Sequence, residues 1–261
     1  MLVKVLPALQ DNLMYIIIDK ETNTAAVIDP INPNVVINVI KKLKCKLTTA
    51  LITHHHWDHA GGNKQLKYLI PQLSIYGKDE RIEGLTCQID DQHVITLGNL
   101  NINCLHTPCH TAGDISYYVT KEGYNPVLFT GDTLFVGGCG KFFEGTAEDM
   151  YNNLIGIFSK LPDETQIYCG HEYTVENLKF GIHVEPDNES SKEKLIWASK
   201  QQKQLLYTVP STIESEKLTN PFMRVCEERV QQFANKSDPI QVMAYLREKK
   251  NAFKSDDVKK N

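Results

Sequence analysis

Four side chains able to bind a metal, His54, His56, Asp58 and His59, stand within six residues as His-x-His-x-Asp-His, and no other stretch constrains the chain as much. Imidazole nitrogen and carboxylate oxygen are the donors that suit a borderline divalent cation such as zinc. The run follows Thr48 to Thr53, which reads as a short buried strand, and precedes Gly62 to Leu69, which reads as a helix. The ligands therefore fall on a strand-to-helix loop, the kind of segment a rigid scaffold uses to present chemistry. In extended backbone alternate side chains share a face, so His54 and His56 converge while His55 points away as an ordinary structural histidine. Asp58 and His59 come where the chain turns and face a second centre. Crowding these groups together without a cation would set imidazoles against one another for no gain.

Three further candidates each follow a strand-like segment and sit beside Gly or Pro, which lets the backbone turn sharply toward a common rim. They are His110 in Thr107-Pro108-Cys109-His110, Asp132 in Thr130-Gly131-Asp132-Thr133, and His171 in Cys169-Gly170-His171-Glu172-Tyr173. Five histidines and two aspartates overfill one tetrahedral ion and suit two. In that reading His54, His56 and His110 hold one metal, Asp58, His59 and His171 hold the other, and the two oxygens of Asp132 bridge. Ions so paired sit about 3.5–4 Å apart and lower the pKa of a shared water from about 16 to about 7. Zinc is the expected ion; iron and manganese remain open, because occupancy follows availability as much as ligand type.

A wider set of motifs resembles the metallo-β-lactamase superfamily and, within it, the glyoxalase II (hydroxyacylglutathione hydrolase) family. The resemblance runs through Leu6 to Asn12, Thr53 to Gly62, Thr107 to Gly113, Phe129 to Phe135, Gly138 to Gly145, Cys169 to Thr174, Asn220 to Arg224 and Arg247 to Phe253, and so covers nearly the whole chain. It implies an α/β fold, a four-layer αβ/βα sandwich over residues 1–173 with the metals at the rim between two sheets. A smaller helical substrate-binding domain over 174–261 follows. It also implies hydrolysis of S-(2-hydroxyacyl)glutathione, chiefly S-D-lactoylglutathione, to glutathione and D-lactate, the second step of methylglyoxal detoxification. The nucleophile would be a hydroxide between the metals, with Asp58 and Asp132 catalytic through it. The leaving group agrees with that chemistry: a thiolate whose thiol has a pKa of about 8.5 needs no strong general acid. By the same resemblance Lys141, Phe143, His171, Tyr173, Arg247 and Lys250 contact the glutathione thioester, Arg247 and Lys250 as a basic pair for a terminal carboxylate. Two positions depart from the family pattern. Phe143 replaces a common Tyr, removing one phenolic donor, and Asp114 replaces a common His. Asp114 is read as supporting the ligands from behind or as stabilising its loop, and His106 as structural.

Composition fits such an enzyme. A chain of 261 residues with 41% hydrophobic content has room for a substantial core, and a net charge of −4 gives no global field for nucleic acid. Seven cysteines without a Cys-x-x-Cys pair suit a reduced compartment, and Cys104, Cys109, Cys139 and Cys169 read as small buried packing residues. The chain opens directly on the alternating pattern Leu2 to Leu6, with no export signal, and its apolar runs are too short to span a bilayer, so a cytoplasmic monomer without membrane or nucleic-acid partners is expected. Strand signals (Asn12 to Asp19, Ala25 to Ile28, Ile102 to Leu105, Ile115 to Val119, Val127 to Thr130, Gln166 to Tyr168) alternate with helical stretches (Pro33 to Leu43, Thr146 to Leu161) up to residue 173. Beyond it helices dominate: Val175 to Phe180, Ser191 to Leu206, and Pro239 to Glu248 behind the N-cap pair Ser237-Asp238. No Gly/Ser linker intervenes, so the halves should pack together, and the charged tail Lys254 to Asn261 reads as frayed. Among rival readings, a persulfide dioxygenase of the same superfamily is the principal alternative. A nuclease lacks a basic channel here, a structural zinc module would use a closed Cys/His shell, and a β-lactamase would not have the basic C-terminal helix.

Overall fold

The computed structural model describes residues 1–254, so the tail reading over 255–261 lies outside the described residues. Two six-stranded sheets form its centre. The first joins β1 (Leu2–Ala8), β2 (Asn12–Asp19), β3 (Thr24–Ile28), β4 (Lys46–Leu51), β5 (Ser74–Gly77) and β6 (Cys87–Gln88) in chain order. The second contains β7 (Val94–Leu97), β8 (Leu100–His106), β9 (Ile115–Thr120), β10 (Val127–Gly131), β13 (Gln166–Cys169) and β14 (Ser211–Thr212), while β11 (Leu134–Phe135) and β12 (Gly138–Cys139) form a separate hairpin.

Alternation explains the layering. In β2 every residue is buried, because Leu13, Tyr15 and Ile17 face the other sheet while Met14, Ile16 and Ile18 face outward under helices. The outer layer on that side is α1 (Pro33–Leu43) and α3 (Asn63–Leu69), with α2 (Trp57–Ala60) the single turn before it; Val36, Ile40 and Leu66 pack onto Val27 and Ile75. Between the sheets lie Tyr15, Ile28, Leu51, Ile102, Tyr117 and Phe129. Helices, sheet, sheet and helices are the four layers expected.

The helical stretch predicted over Thr146 to Leu161 is not uniform. It begins as α4 (Ala147–Tyr151) behind a Thr146/Asp149 capping box, widens to a π-helix over Asn152–Ile157, and tightens to a 3₁₀ turn over Phe158–Lys160. Within the widened part the buried Asn153 donates Nδ2 to the Pro108 carbonyl at 3.1 Å. Further along come α5 (Thr174–Val184), α6 (Glu189–Lys203), α7 (Ile213–Thr219), α8 (Glu228–Ala234) and α9 (Pro239–Ala252), the last capped by Asp238 as the sequence indicates. Both α7 and α8, seven residues each, are too short to leave a clear period in the sequence.

These helices share a core with the sandwich. Phe180, Phe222, Val242, Met243 and Leu246 lie in one buried cluster with Leu128 and Ile167 of the second sheet and with Leu154 and Phe158, and β14 pairs antiparallel with β13. The halves are therefore packed together as expected. Phe180→Ala should cost about 3–5 kcal/mol, the range for a truncated core aromatic. Denaturant unfolding followed by circular dichroism and by fluorescence of Trp57 and Trp197 should show that loss in one coincident transition; two separated transitions would contradict a shared core.

Candidate metal centre

Strand direction gathers the candidate ligands at one edge. Because β9 runs antiparallel to both β8 and β10, and β13 runs parallel to β10, the strands β8, β10 and β13 end on the same side, delivering His110, Asp132 and His171. From the facing sheet, β4 ends there too and delivers His54 through His59. A register shift between Phe129 and Gly131 re-aims the chain just before Asp132. The approach is close: a Cβ on Gly170 would lie 2.3 Å from Asp132 Oδ1 and 2.8 Å from the His59 ring, so a side chain there would displace the ligands.

The donor atoms face inward in two groups. His54 Nε2 and His110 Nε2 lie 3.0 and 3.1 Å from His56 Nδ1. His59 Nε2 lies 3.3 Å from His171 Nε2, and Asp58 Oδ2 lies 3.6 and 3.5 Å from those two nitrogens. Asp132 spans both groups, with Oδ2 at 3.5 Å from His110 Nε2 and 3.3 Å from His171 Nε2, and Oδ1 at 3.5 Å from His59 Nε2. Its Oδ1 is buried with no hydrogen-bond partner. All seven expected ligands thus come together, and His55 turns away toward Asp79, 3.4 Å distant.

Outer partners fix the ring tautomers. Thr53 Oγ1 gives its one proton to Asp29 Oδ2 at 2.7 Å, so at 3.0 Å it accepts from His54 Nδ1, leaving His54 Nε2 a bare donor atom. His59 Nδ1 donates to Asp29 Oδ2 at 2.9 Å, His171 Nδ1 to Asp11 Oδ1 at 2.8 Å, and His110 Nδ1 to the Lys141 carbonyl at 3.1 Å. A histidine whose outer nitrogen is so anchored presents its inner lone pair to a cation. Asn12 Nδ2 donates to the Asp58 side chain and backbone, both at 3.1 Å.

Electrostatics divide along the same lines. Burial, with neighbouring imidazoles, holds His54 well below the ordinary histidine range and lowers His56 and His110, so these rings are neutral. Burial also opposes charge on His59, but Asp132, Asp29 and Asp58 outweigh it and push the ring up to about 9. His171 is raised likewise, burial being outweighed chiefly by Asp132, and Asp132 itself is held well below the carboxylate range by His59 and His171 despite its burial. A buried carboxylate with an unpartnered oxygen, ringed by inward-facing imidazole nitrogens, fits divalent cations bound by nitrogen and oxygen, which would displace the protons from His59 and His171. The cysteines do not compete: burial pushes Cys139 up to about 11 and Cys104 and Cys169 up to about 12.

Comparison with known proteins agrees with this geometry. The metallo-β-lactamase superfamily model matches residues 11–171, and one described as the hydroxyacylglutathione hydrolase C-terminus matches residues 172–253. The cytoplasmic hydroxyacylglutathione hydrolase of Arabidopsis thaliana is 52% identical over 251 residues, covering 95% of this chain and 97% of that one. This chain belongs to the hydroxyacylglutathione hydrolase family. A hydroxyacylglutathione hydrolase-like protein of Gallus gallus is 48% identical, with 97% of this chain and 91% of that one covered. The crystal structure of ETHE1 from Myxococcus xanthus superposes with a TM-score of 0.67 over 97% of this chain and 99% of that one, and at 24% identity it shows the shared fold alone.

The residues expected on the substrate side are placed unevenly. Phe143 is exposed, its ring centroid 5.0 Å from that of His110 and 6.0 Å from that of His56, with Lys141 Nζ 5.9 Å from its centre. Tyr173 stacks on His171, rings 4.8 Å apart and nearly parallel. Lys250 Nζ donates to the Glu176 carbonyl at 2.9 Å and lies over Phe180 and Phe253. Arg247 is buried: Nη1 donates to the Cys139 carbonyl at 2.9 Å, the guanidinium sits over Phe222, and Nε has no hydrogen-bond partner. Asp114 and His106 are structural, as expected. Asp114 accepts from the Thr111 backbone at 2.8 Å and from its hydroxyl, and His106 Nε2 bonds the Ala112 carbonyl at 3.0 Å. Beside them Arg81 forks between Asp79 and Glu144, and Glu144 accepts from Ala112 N–H at 2.7 Å, bracing the loops at the mouth.

Sequence reasoning missed Asp29, Asp11 and the Lys141 carbonyl. Asp29 had a visible signal, an acid closing the wholly apolar run Ala25 to Ile28 and followed by Pro30, and its left-handed backbone (φ 49) marks the turn there. A backbone carbonyl leaves no trace in a sequence. Asp29→Ala should leave the fold intact by circular dichroism and weaken metal binding about 10–100-fold, the usual range when a ligand's outer partner is removed. Asp132→Ala should fail to retain stoichiometric metal through a desalting column; elemental analysis checks both.

Proposed function

We propose that the protein binds two divalent cations, zinc foremost, and hydrolyses S-(2-hydroxyacyl)glutathione, chiefly S-D-lactoylglutathione, to glutathione and a 2-hydroxy acid. The observation that carries this reading is the Asp132 carboxylate spanning two three-residue ligand groups at one rim. His54, His56 and His110 would hold one ion and Asp58, His59 and His171 the other. Such ions supply Lewis acidity and a water acidified to a pKa of about 7.

The protein's own groups account for the rest. Asp58 and Asp132 accept hydrogen bonds from the attacking water and orient it. Tyr173, whose phenol is pushed up by burial and by Asp11, stays protonated and keeps its ring stacked on His171 at the edge of the site. Because the leaving thiol has a pKa of about 8.5, the thiolate departs without a proton from the protein. Lys141 and Lys250 meet the anionic tripeptide, Phe143 gives an apolar wall, and Arg247 adds positive charge from beneath the Cys139 carbonyl. Residues 1–173 would supply the metal centre and 174–261 the substrate cover, in a cytoplasmic monomer. The relatives' names and the C-terminal match support the thioester over a persulfide as substrate. Among the described residues no helix is long and apolar enough to cross a membrane.

Metal analysis alongside turnover of lactoylglutathione, a glutathione persulfide and a β-lactam tests the reading. Two metal equivalents and turnover of the thioester are expected; turnover of the persulfide alone with one iron bound would overturn it. A pH profile adds a second test. Burial, with the like charge of Arg247, lowers the Lys250 ammonium to about 8. Its charge is present below that pH and lost above it, so kcat/KM should fall as pH rises through about 8. Lys250→Met should raise KM and remove that limb of the profile.

A further inference from the structure

The β11–β12 hairpin, two residues beyond Asp132, is held at five backbone polar groups by side chains from the C-terminal helices. Asn220 Nδ2 donates to the Phe135 carbonyl at 3.3 Å and the Gly138 carbonyl at 3.0 Å, and Asn177 Nδ2 to the Val136 carbonyl at 3.1 Å. Glu216 Oε2 accepts from Gly137 N–H at 2.7 Å, and Arg247 takes the Cys139 carbonyl. Glu216 and Asn220 are fully buried, and Lys194 from α6 donates to Glu216 Oε1 at 2.8 Å.

The gripped hairpin touches the metal centre at both ends. It leaves Asp132 through Thr133 and returns through Gly140, where a Cβ would lie 1.9 Å from the Asp132 carbonyl oxygen and 3.1 Å from His110 Nδ1. The next carbonyl, that of Lys141, anchors His110 Nδ1. A buried carboxylate and two buried amides are a poor way to stabilise a helical layer, because well-packed apolar side chains commonly do as well or better. What a fully satisfied polar network gives is a unique backbone position.

We propose that Asn220, Asn177 and Glu216 are positioning residues for the metal centre: through the hairpin they set the Lys141 carbonyl on His110. The C-terminal helices then do more than cover substrate; they determine how well the His54, His56 and His110 group binds its ion. This rests on the two-cation reading above, but its readout needs no substrate, so loss of thioester turnover with two ions bound would sink that reading and leave this one standing.

The test is zinc titration of the full chain against a chromogenic chelator, with the absorption spectrum of the cobalt(II)-loaded protein beside it. In Asn220→Ala and Asn177→Ala one metal equivalent should weaken about 10-fold, at the lower end of the effect of losing a ligand's supporting contact, with the other unchanged and the cobalt spectrum altered. kcat should fall with KM held within about twofold, as for a transition-state loss. Val36→Ala, in the opposite outer layer, is the control for lost stability and should keep both affinities. Asn177→Ala removes a single bond and serves if Asn220→Ala does not fold. Parent-like affinities in folded Asn variants, or equal weakening of both equivalents as in a merely destabilised protein, would overturn the proposal.

Discussion

A buried carboxylate facing five imidazoles governs this structure. Taking the Asp132 anion out of water costs several kcal/mol unless cations or donors answer it. Here the answer comes from His59 and His171, while Oδ1 has no hydrogen-bond partner. The strands that end at one edge, the bulge before Gly131 and the absence of a side chain at Gly170 all bring groups to within a few ångströms of that carboxylate. Neutral His54, His56 and His110 on one side and raised His59 and His171 on the other form an uneven pair of nests, nitrogen-rich and carboxylate-rich. Divalent cations bound there would answer the carboxylates and give the inward-facing ring nitrogens a partner.

The second circle of contacts is as informative as the ligands. Asp29 serves Thr53 and His59 together, and through the Thr53 hydroxyl it also settles the proton on His54, so one carboxylate sets two rings from the two groups. Asp11 does the same for His171 from the β1–β2 turn, tied there by the backbone bond from Leu13 N–H to the Gly170 carbonyl at 2.8 Å. The rim is thus built from both sheets.

Much of this was legible in the sequence because its signals are local. Short apolar runs mark β2 and the strands before the ligands, the helical stretch Pro33 to Leu43 marks α1, and the Asp238 cap marks α9. All seven candidate ligands are readable because each lies in a compact motif of distinctive donors. What escaped depends on long-range proximity. The Asp29 carboxylate lies 30 residues from His59, and the Lys141 carbonyl lies 31 from His110. The pairing of Arg247 and Lys250 comes from the family resemblance, with helical spacing that allows one face, and neither can tell that Arg247 is pulled inward by the Cys139 carbonyl. The short α7 and α8 take their shape from packing rather than from an amphipathic pattern of their own.

The common core of sandwich and helices has a consequence for dissection. The outer face of the second sheet carries Leu105, Leu128 and Ile167, covered by Phe222, Val242 and Leu246, with β14 sealing the edge of β13. A fragment cut near residue 173 would bare an oily wall beside an unpaired strand, and such a piece would clump rather than stand alone as a miniature enzyme. The two halves can be distinguished in a diagram, but as a polypeptide they are one body.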